Sequence, residues 1–511
     1  MDSILVTNGG YDAVVGSSLK QSENSNRIQD VEFLQVRYTN ILGRFLAKYA
    51  MIDNNDLQKL ISEGIGLDGS SVEGFASIDD SDFLLVPDKY TLRLFPFSKR
   101  LTGSVISDVY LGYQRGRLRE DPRYVSQIME EHLADHDLTC QVGAEVECFI
   151  FDRMLFHHLD PSEKSALEEI EVVSEESIGK GNYPIRTKSG YDAPPFQDSL
   201  LDFRFEVARI LKDYYNINVT NLNHEVASSG QIEINFLHSG LTRTADNVQN
   251  YKDVVRNVAK KSNRIANFMP KPIFECSPNC KKIDSNLGQD GNDNGSGMHV
   301  SISLWTKSSL GSAPEDYCNI FYDPNDEYSN LSQAGRYFVG GILDHSQSLA
   351  ALVAPTVNSY QRIVPGYEAP VYIAWARGNR STVIRIPIND KDNYKTKRLE
   401  FRAPDPSSNP YLVFPAIVAA GLDGIKKKTD PGSPIDENIY KMSESRRSSL
   451  AIHSLPRTLQ DSLDSLKSDM NYLQTCFSDK LIETYLTIKQ SETKIINEKS
   501  KSQQFLYYFD I

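Results

Sequence analysis

Apolar and polar positions alternate in four widely separated segments of the chain. Alternation with a period of two marks a strand whose two faces meet different surroundings. In A-E-V-E-C-F-I-F, Glu145 and Glu147 fall on one side and Ala144, Val146, Cys148 and Ile150 on the other. In Q-I-E-I-N-F, Gln231, Glu233 and Asn235 oppose Ile232, Ile234 and Phe236. In M-H-V-S-I-S-L, His299, Ser301 and Ser303 share a face; in R-L-E-F-R, Arg398, Glu400 and Arg402 do so, with Leu399 and Phe401 behind them. Such strands predict a sheet that packs its apolar back on a core and lines a cavity with its front. Carboxylates facing one another repel unless cations lie between them. The pattern therefore predicts a polyvalent metal site that serves an anionic substrate.

The rest of the pattern divides the chain. Residues 1–29 are rich in Ser, Asn and Gly and read as a loosely ordered tail. Two strands are expected around a turn at Asn40 to Gly43, and D-F-L-L-V-P-D and T-L-R-L-F-P-F extend a small β-domain over residues 30–116. D-P-R-Y-V-S-Q-I-M-E-E-H-L then predicts a helix capped by Asp121 with Pro122 in its first turn. Beyond it, strands and helices mix without a regular βαβ repeat. A catalytic α+β domain over 117–511 is expected, with a curved antiparallel sheet and outer helices rather than a doubly wound sheet. Residues 441–511 form its helical part: Leu459, Leu463, Leu466 and Met470 recur at helical spacing, as do Leu481, Tyr485 and Ile488. Residues 275–293 read as a long surface loop.

Composition narrows the function. A net charge of −13 argues against a general nucleic-acid binder, though it leaves room for a basic pocket inside an acidic shell. The apolar run near Leu349 to Pro355 is too short to span a bilayer. The first ten residues lack the basic flank and apolar core of a signal peptide. A cytoplasmic location is the expectation. Six cysteines in 511 residues make no disulfide framework. Cys276 and Cys280 have no second pair nearby to complete a zinc site, and read as free thiols in a loop.

L-D-G-S-S-V-E-G-F at 67–75, G-A-E-V-E-C-F, N-H-E-V-A-S-S-G-Q-I-E, N-F-M-P-K-P, N-G-S-G-M-H, R-I-V-P-G-Y-E-A-P, N-R-S-T-V-I-R-I-P and R-L-E-F-R-A-P-D-P follow one another in order. On these motifs the chain resembles glutamine synthetase of the bacterial and archaeal type. The resemblance implies a β-grasp-like first domain and ATP-dependent ligation of ammonia to glutamate through γ-glutamyl phosphate. It also implies two divalent cations, Mg²⁺ or Mn²⁺, one held by Glu147, Glu225 and Glu233 and the other by Glu145, His299 and Glu400. Arg380 and Arg385 match phosphate-contacting arginines; Arg362 and Arg402 match those that orient glutamate. Asn294 and Gly295 match glutamate-binding positions. Asp68, Ser71, Tyr191 and Glu368 match the ammonium pocket and its flap, with Asp82 a supporting carboxylate. Ser303, Lys395 and Arg398 match positions near the nucleotide. The partners implied are small-molecule substrates and further copies of the chain, as a ring of two stacked hexamers in which the Asp68 loop completes a neighbour's site.

Three departures stand out. Ser301 occupies the place of the family's usual second histidine and cannot carry charge near phosphates, so weaker phosphate contact or compensation elsewhere is expected. About twenty residues separate K-P-I-F from N-G-S-G-M-H, where the family commonly has a few; a tolerated surface insertion is the simpler reading. Tyr440 matches a tyrosine that some members adenylylate, but Glu437 replaces the usual basic neighbour, and modification is not expected. Two alternatives remain on the sequence: a γ-glutamyl amine (polyamine) ligase, and a non-catalytic assembly protein of the same fold. The intact ammonium residues argue against the first and the intact metal ligands against the second.

Overall fold

The computed structural model describes residues 27–53, 56–112, 116–158, 167–174, 176, 183–273, 293–307, 317–388 and 393–511. The expected tail lies almost wholly outside them, as do Cys276, Cys280 and nearly all of the loop at 275–293.

The first sheet contains β1 (Phe33–Thr39), β2 (Phe45–Met51), β3 (Ile65–Asp68), β4 (Asp82–Pro87), β5 (Arg93–Leu94) and β6 (Thr102–Tyr110), in the order β2-β1-β6-β4-β3 with β5 beside β6. β1 and β2 pair antiparallel from Phe33↔Met51 to Thr39↔Phe45 around the expected turn. β1 runs parallel to β6. T-L-R-L-F-P-F yields only the two-residue β5: Phe95 N still donates to Thr102 O (2.8 Å), but Pro96 follows, and the Phe95 and Phe97 rings pack edge-on, 5.5 Å between centroids.

Asp121 caps the helix Pro122–Ala134, its carboxylate accepting from the Arg123 N–H, and Pro122 opens the first turn. This helix carries Arg123, whose guanidinium reaches Asp88 (2.7 Å), Asp108 (2.6 Å) and Asp246 (3.0 Å). One buried cation thereby ties the first sheet to the helix Leu241–Lys261. Arg37–Asp253 (2.6 Å) and the Asn409 amide, which donates to the Asn40 and Ile41 carbonyls (both 3.1 Å), make further joins.

The second sheet contains β7 (Leu138–Phe151), β10 (Val219–His224), β11 (Gln231–Phe236), β12 (Ile265–Asn267), β13 (Met298–Lys307), β14 (Tyr317–Asn319), β15 (Tyr372–Arg377), β16 (Thr382–Ile386), β17 (Leu399–Phe401) and β18 (His453–Ser454). A separate hairpin joins β8 (Arg153–His158) and β9 (Leu167–Val173). The sheet order is β10-β11-β7-β13-β17-β16-β15-β18, with β12 on β7 and β14 on β13. Every pairing is antiparallel except β15 with β16. This is the α+β arrangement expected from the sequence.

The predicted backs are the core. Val146, Cys148, Ile232, Ile234, Val300, Ile302, Leu399 and Phe401 are fully buried in one cluster with Val248, Tyr251 and Val255 of the helix Leu241–Lys261. Each such side chain contributes about 1.5–3 kcal/mol, and that fixes which face of every strand is left for the cavity. The helices Leu459–Ser468 and Asp479–Asn497 bury Leu459, Leu463, Leu466, Leu481 and Tyr485 at the predicted spacing. The apolar run at 349–355 belongs to the buried helix Ser346–Val353. Among the described residues, no helix is long and apolar enough to cross a membrane.

Candidate active site

Strand register converts the four faces into one wall. Glu233 stands opposite Glu147, and Asn235 opposite Glu145. Glu145 in turn stands opposite His299. Ser301 opposes Glu400, and Glu400 opposes Arg385. Residues nearly 260 positions apart in sequence thus form adjacent rows, because opposed residues on neighbouring strands lie about 5 Å apart. The wall bounds a cavity of about 810 Å³.

Of three groups among the described residues whose ligand atoms lie within 4.8 Å of one another, two are on this wall: Glu145, His299 and Glu400, and Glu147, Glu233 and His299; the third is Glu176, Asp198 and His224. The His299 Nδ1 is 3.6 Å from Glu145 Oε2. Glu225 belongs to neither triad, although it lines the same cavity. Burial first, and then mutual repulsion, raise the Glu225 and Glu233 carboxyls well above the usual range; burial does the same to Glu147. A cation among them would remove the cause of the repulsion. Burial, with Arg402 nearby, lowers the proton affinity of the His299 imidazole, and the neutral ring offers one nitrogen lone pair. Carboxylate oxygens joined by one imidazole suit a hard divalent cation, so the donor set fits such a metal.

The triads are held from behind. Gln231 donates to Glu147 (3.0 Å), as does the Gly297 N–H (2.8 Å). Asn223 and Asn235 donate to Glu233 (3.0 and 2.9 Å). A Cβ at Gly297 would stand 2.6 Å from the Arg362 guanidinium and 2.9 Å from the His299 ring, so a larger residue there would displace one or both. His224, beside Glu225, is fixed by Glu176 (2.9 Å) and by the Glu225 carbonyl (2.8 Å).

Cations line the same cavity. Arg362, Arg380, Arg385 and Arg402 line it with Asn294 and Gly295. Arg385 and Arg402 both bond Glu400, the latter at 2.5 Å. Burial would raise the Glu400 carboxyl, but Arg402 and its other cationic neighbours hold it below the usual range. Arginines, then, already occupy the Glu400 oxygens that the sequence assigned to a metal. Several buried polar atoms here have no partner, among them the Nε of Arg385 and of Arg402 and the Oδ1 of Asn294 and of Asn235. Buried donors are costly to leave unpaired. Guanidinium groups that line a cavity suit a carboxylate or phosphate.

Tyr191 and Glu368 also line the cavity. The Tyr191 loop is stitched to the Glu225 segment, Gly190 N donating to Val226 O and Asp192 N to His224 O (both 3.1 Å). Asp68, Ser71 and Asp82 do not line it. They lie at the edge of the first sheet, where Asp68 pairs with Asp82 in register and accepts from the hydroxyls of Ser70 (2.6 Å) and Ser71 (2.7 Å). Ser303, Lys395 and Arg398 are also outside the lining. Ser303 accepts from the Trp305 indole (2.9 Å), and Arg398 donates to the Thr396 carbonyl (3.2 Å). Reading by faces missed Lys188, Tyr367, Asn221, Asn223 and Asn379, all of which line the cavity. Apart from Asn221 and Asn223, which sit on β10, they come from loops, where no periodicity signals an inward side chain. Tyr440, noted in the sequence only as a modification candidate, lines it too and donates to Ala369 O (2.6 Å).

Comparison with known proteins shows the family. The glutamine synthetase β-grasp domain model matches residues 30–112, and the glutamine synthetase catalytic domain model matches 119–508. A glutamine synthetase of Sulfolobus acidocaldarius is 42% identical over 485 residues, covering 94% of this chain and 96% of the relative. The cryo-EM structure of Plasmodium falciparum glutamine synthetase superposes with a TM-score of 0.77 at 26% identity, covering 100% of both chains. Ligand-free GmaS superposes with a TM-score of 0.71 at 26% identity, over 94% of this chain and 96% of that one.

Proposed function

The chain belongs to the glutamine synthetase family, and from that premise we propose how its own residues divide the work of a glutamate–ammonia ligase. The enzyme joins ammonia to the γ-carboxylate of glutamate with ATP, through γ-glutamyl phosphate. The observation that carries the division of labour is the lateral register that puts Glu233, Glu147, Glu145, His299 and Glu400 on one wall of a cavity that four arginines also line.

The family uses a divalent metal. We assign Mg²⁺ or Mn²⁺ to two positions, with Glu145, Glu147, Glu233 and His299 as the ligands best supported by proximity, Glu225 at their side and Glu400 shared with arginine. When bound, such cations neutralise the oxygens of the transferring phosphoryl group. The chain supplies the rest. Arg362 and Arg402, with Asn294 and Gly295, seat glutamate by its charged groups; a planar guanidinium holds a carboxylate by two parallel bonds. Arg380 and Arg385 face the phosphoryl oxygens, where fixed donors stabilise developing charge. Glu368 takes a proton from ammonium beside Tyr191, leaving a nucleophile to displace phosphate. Ser303, Lys395 and Arg398 lie toward the nucleotide's outer end, which accounts for their place outside the cavity lining.

Asp68, Ser71 and Asp82 require another copy of the chain. On their own sheet edge they lie outside the cavity lining, and the assigned role is to complete the ammonium pocket of a neighbour in a dodecamer. A cytoplasmic location and a division into domains at about residue 117 belong to the same reading. Phosphate release with glutamate, ATP and either ammonia or putrescine tests it. Turnover with ammonia and little with putrescine is expected; the reverse preference would make the protein a γ-glutamyl amine ligase.

A further inference from the structure

Glu368, the assigned proton acceptor, is held by no strand or helix. It sits in a loop with a left-handed backbone, φ 61°, two residues after Gly366 at φ 92°. A non-glycine residue persists there only when its surroundings impose the conformation. What imposes it lies on either side of Glu368. After it, the Ala369 carbonyl accepts the Tyr440 hydroxyl at 2.6 Å. Before it, the Tyr367 ring has two ammonium groups against it: Lys188 Nζ 3.8 Å from the centroid and Lys271 Nζ 3.9 Å.

Two cations on one ring repel each other, so each needs an anchor. Lys188 Nζ donates to the Gly366 carbonyl at 3.0 Å. Lys271 Nζ donates to the Asp293 carbonyl, and Asp293 is itself fixed by Ser228, whose N–H and hydroxyl both donate to its carboxylate at 2.7 Å. Asp293 directly precedes Asn294 and Gly295, which line the cavity. Lys188 stands on the loop that carries Tyr191 and is exposed, so its place on the ring is not forced by core packing. The Tyr367 ring therefore joins three segments that are far apart in sequence: the Tyr191 loop, the Asn294–Gly295 segment and the Glu368 loop.

We propose that Lys188, Lys271 and Tyr367 are positioning residues, a cation–ring clamp that fixes the Glu368 carboxylate at the ammonium pocket and makes its placement depend on the segment that seats glutamate. The clamp touches no reacting atom; it acts through Glu368. It rests on the reading above in which Glu368 accepts the ammonium proton. A ring between ammonium groups is a weak device, worth about tenfold in an equilibrium when partly desolvated, which suits a loop that must admit substrate and then settle.

Steady-state kinetics of the full-length enzyme test the clamp, with ammonium, glutamate and ATP varied in turn. Lys188→Met and Tyr367→Leu should raise the KM for ammonium about tenfold and leave the KM for ATP within about twofold. Lys188→Arg and Tyr367→Phe keep a cation and an aromatic face, and should restore the ammonium KM. Lys188 is exposed, so its variants test the clamp even if a Tyr367 variant fails to fold. An unchanged ammonium KM in Lys188→Met, or equal rises for ammonium and ATP, overturns the clamp alone. A wild-type enzyme that makes no glutamine from ammonia overturns the reading of Glu368 and the clamp with it.

Discussion

Two buried clusters of arginine and carboxylate serve opposite ends. Around Arg123, one guanidinium meets Asp88, Asp108 and Asp246, and its Nε and both terminal nitrogens all have acceptors. Asp246 also accepts the Tyr411 hydroxyl at 2.6 Å. Around the cavity, Arg385 and Arg402 each keep an Nε with no acceptor, and Glu147, Glu225 and Glu233 crowd one another. Composition alone would rank the two clusters alike. The difference is charge balance: around Arg123 each carboxylate meets a guanidinium, whereas Glu225 and Glu233 have their proton affinity raised by neighbouring carboxylates. Stability is sacrificed in the second cluster because charges placed for a ligand cannot also be neutralised by the protein.

That contrast can be broken most directly at the carboxylates. Glu147→Gln should lower kcat about 10²–10³-fold while the melting temperature measured without added divalent metal holds or rises, since a carboxyl whose proton affinity is raised by burial weakens the folded state at neutral pH. A clear loss of thermal stability would move Glu147 into the structural class. Arg123→Met should do the reverse. It takes the buried cation from Asp88 and Asp246 and leaves Asp108 only Arg117, and should cost about 3–5 kcal/mol in denaturant unfolding, with activity per folded molecule retained; a cost below about 1 kcal/mol would show that the junction does not depend on that ion cluster.

Smaller changes sharpen the comparison. Arg385→Lys keeps charge but loses the forked donor, so activity should fall about tenfold with little change in melting; equal damage to both would mean that its pairing with Glu400 is its main task. His345 provides an intermediate case, bonded to Asp469 (2.8 Å) and Asp423 (2.9 Å). Burial opposes its charge, but the two carboxylates prevail and raise its proton affinity, while Asp423 and Asp469 are held below the usual carboxylate range. The histidine's contribution is complete below its unfolded value near 6.5 and fades as pH rises through its folded value. The aspartates' contribution is present above their unfolded value near 3.8 and fades as pH falls through their folded values. His345→Gln should therefore cost about 1 kcal/mol between roughly pH 4 and 6.5 and less above it. A pH-independent difference in unfolding curves would contradict that origin.

The faces of the strands were legible in the sequence because alternation is local: Glu145 and Glu147 cannot share a side with Val146. Register was not. Nothing near His299 says that it will stand opposite Glu145 rather than Glu147, since that depends on pairing over some 150 residues. Hence the strand motifs located the wall, while proximity pairs Glu147 and Glu233 with His299 and leaves Glu225 outside both triads. Charge partners were equally hidden. R-L-E-F-R announced an arginine–glutamate face, but not that Arg385 from the next strand would bond the same carboxylate. Asp121 and Pro122 were readable as a helix start because caps are written within four residues, whereas T-L-R-L-F-P-F looked like a strand and gave two residues of one. There the proline and the Phe95–Phe97 contact overrode propensity.

The order of strands across the second sheet also has a kinetic consequence. β7 waits for β13, and β13 waits for β17, so the wall spans residues 138–402 and closes only when distant stretches have met. Such non-local pairing is slow to nucleate. A nascent chain on the ribosome would hold acidic residues with no counter-ions until its last third emerged, and catalytic competence would arrive in a single late step rather than piecemeal.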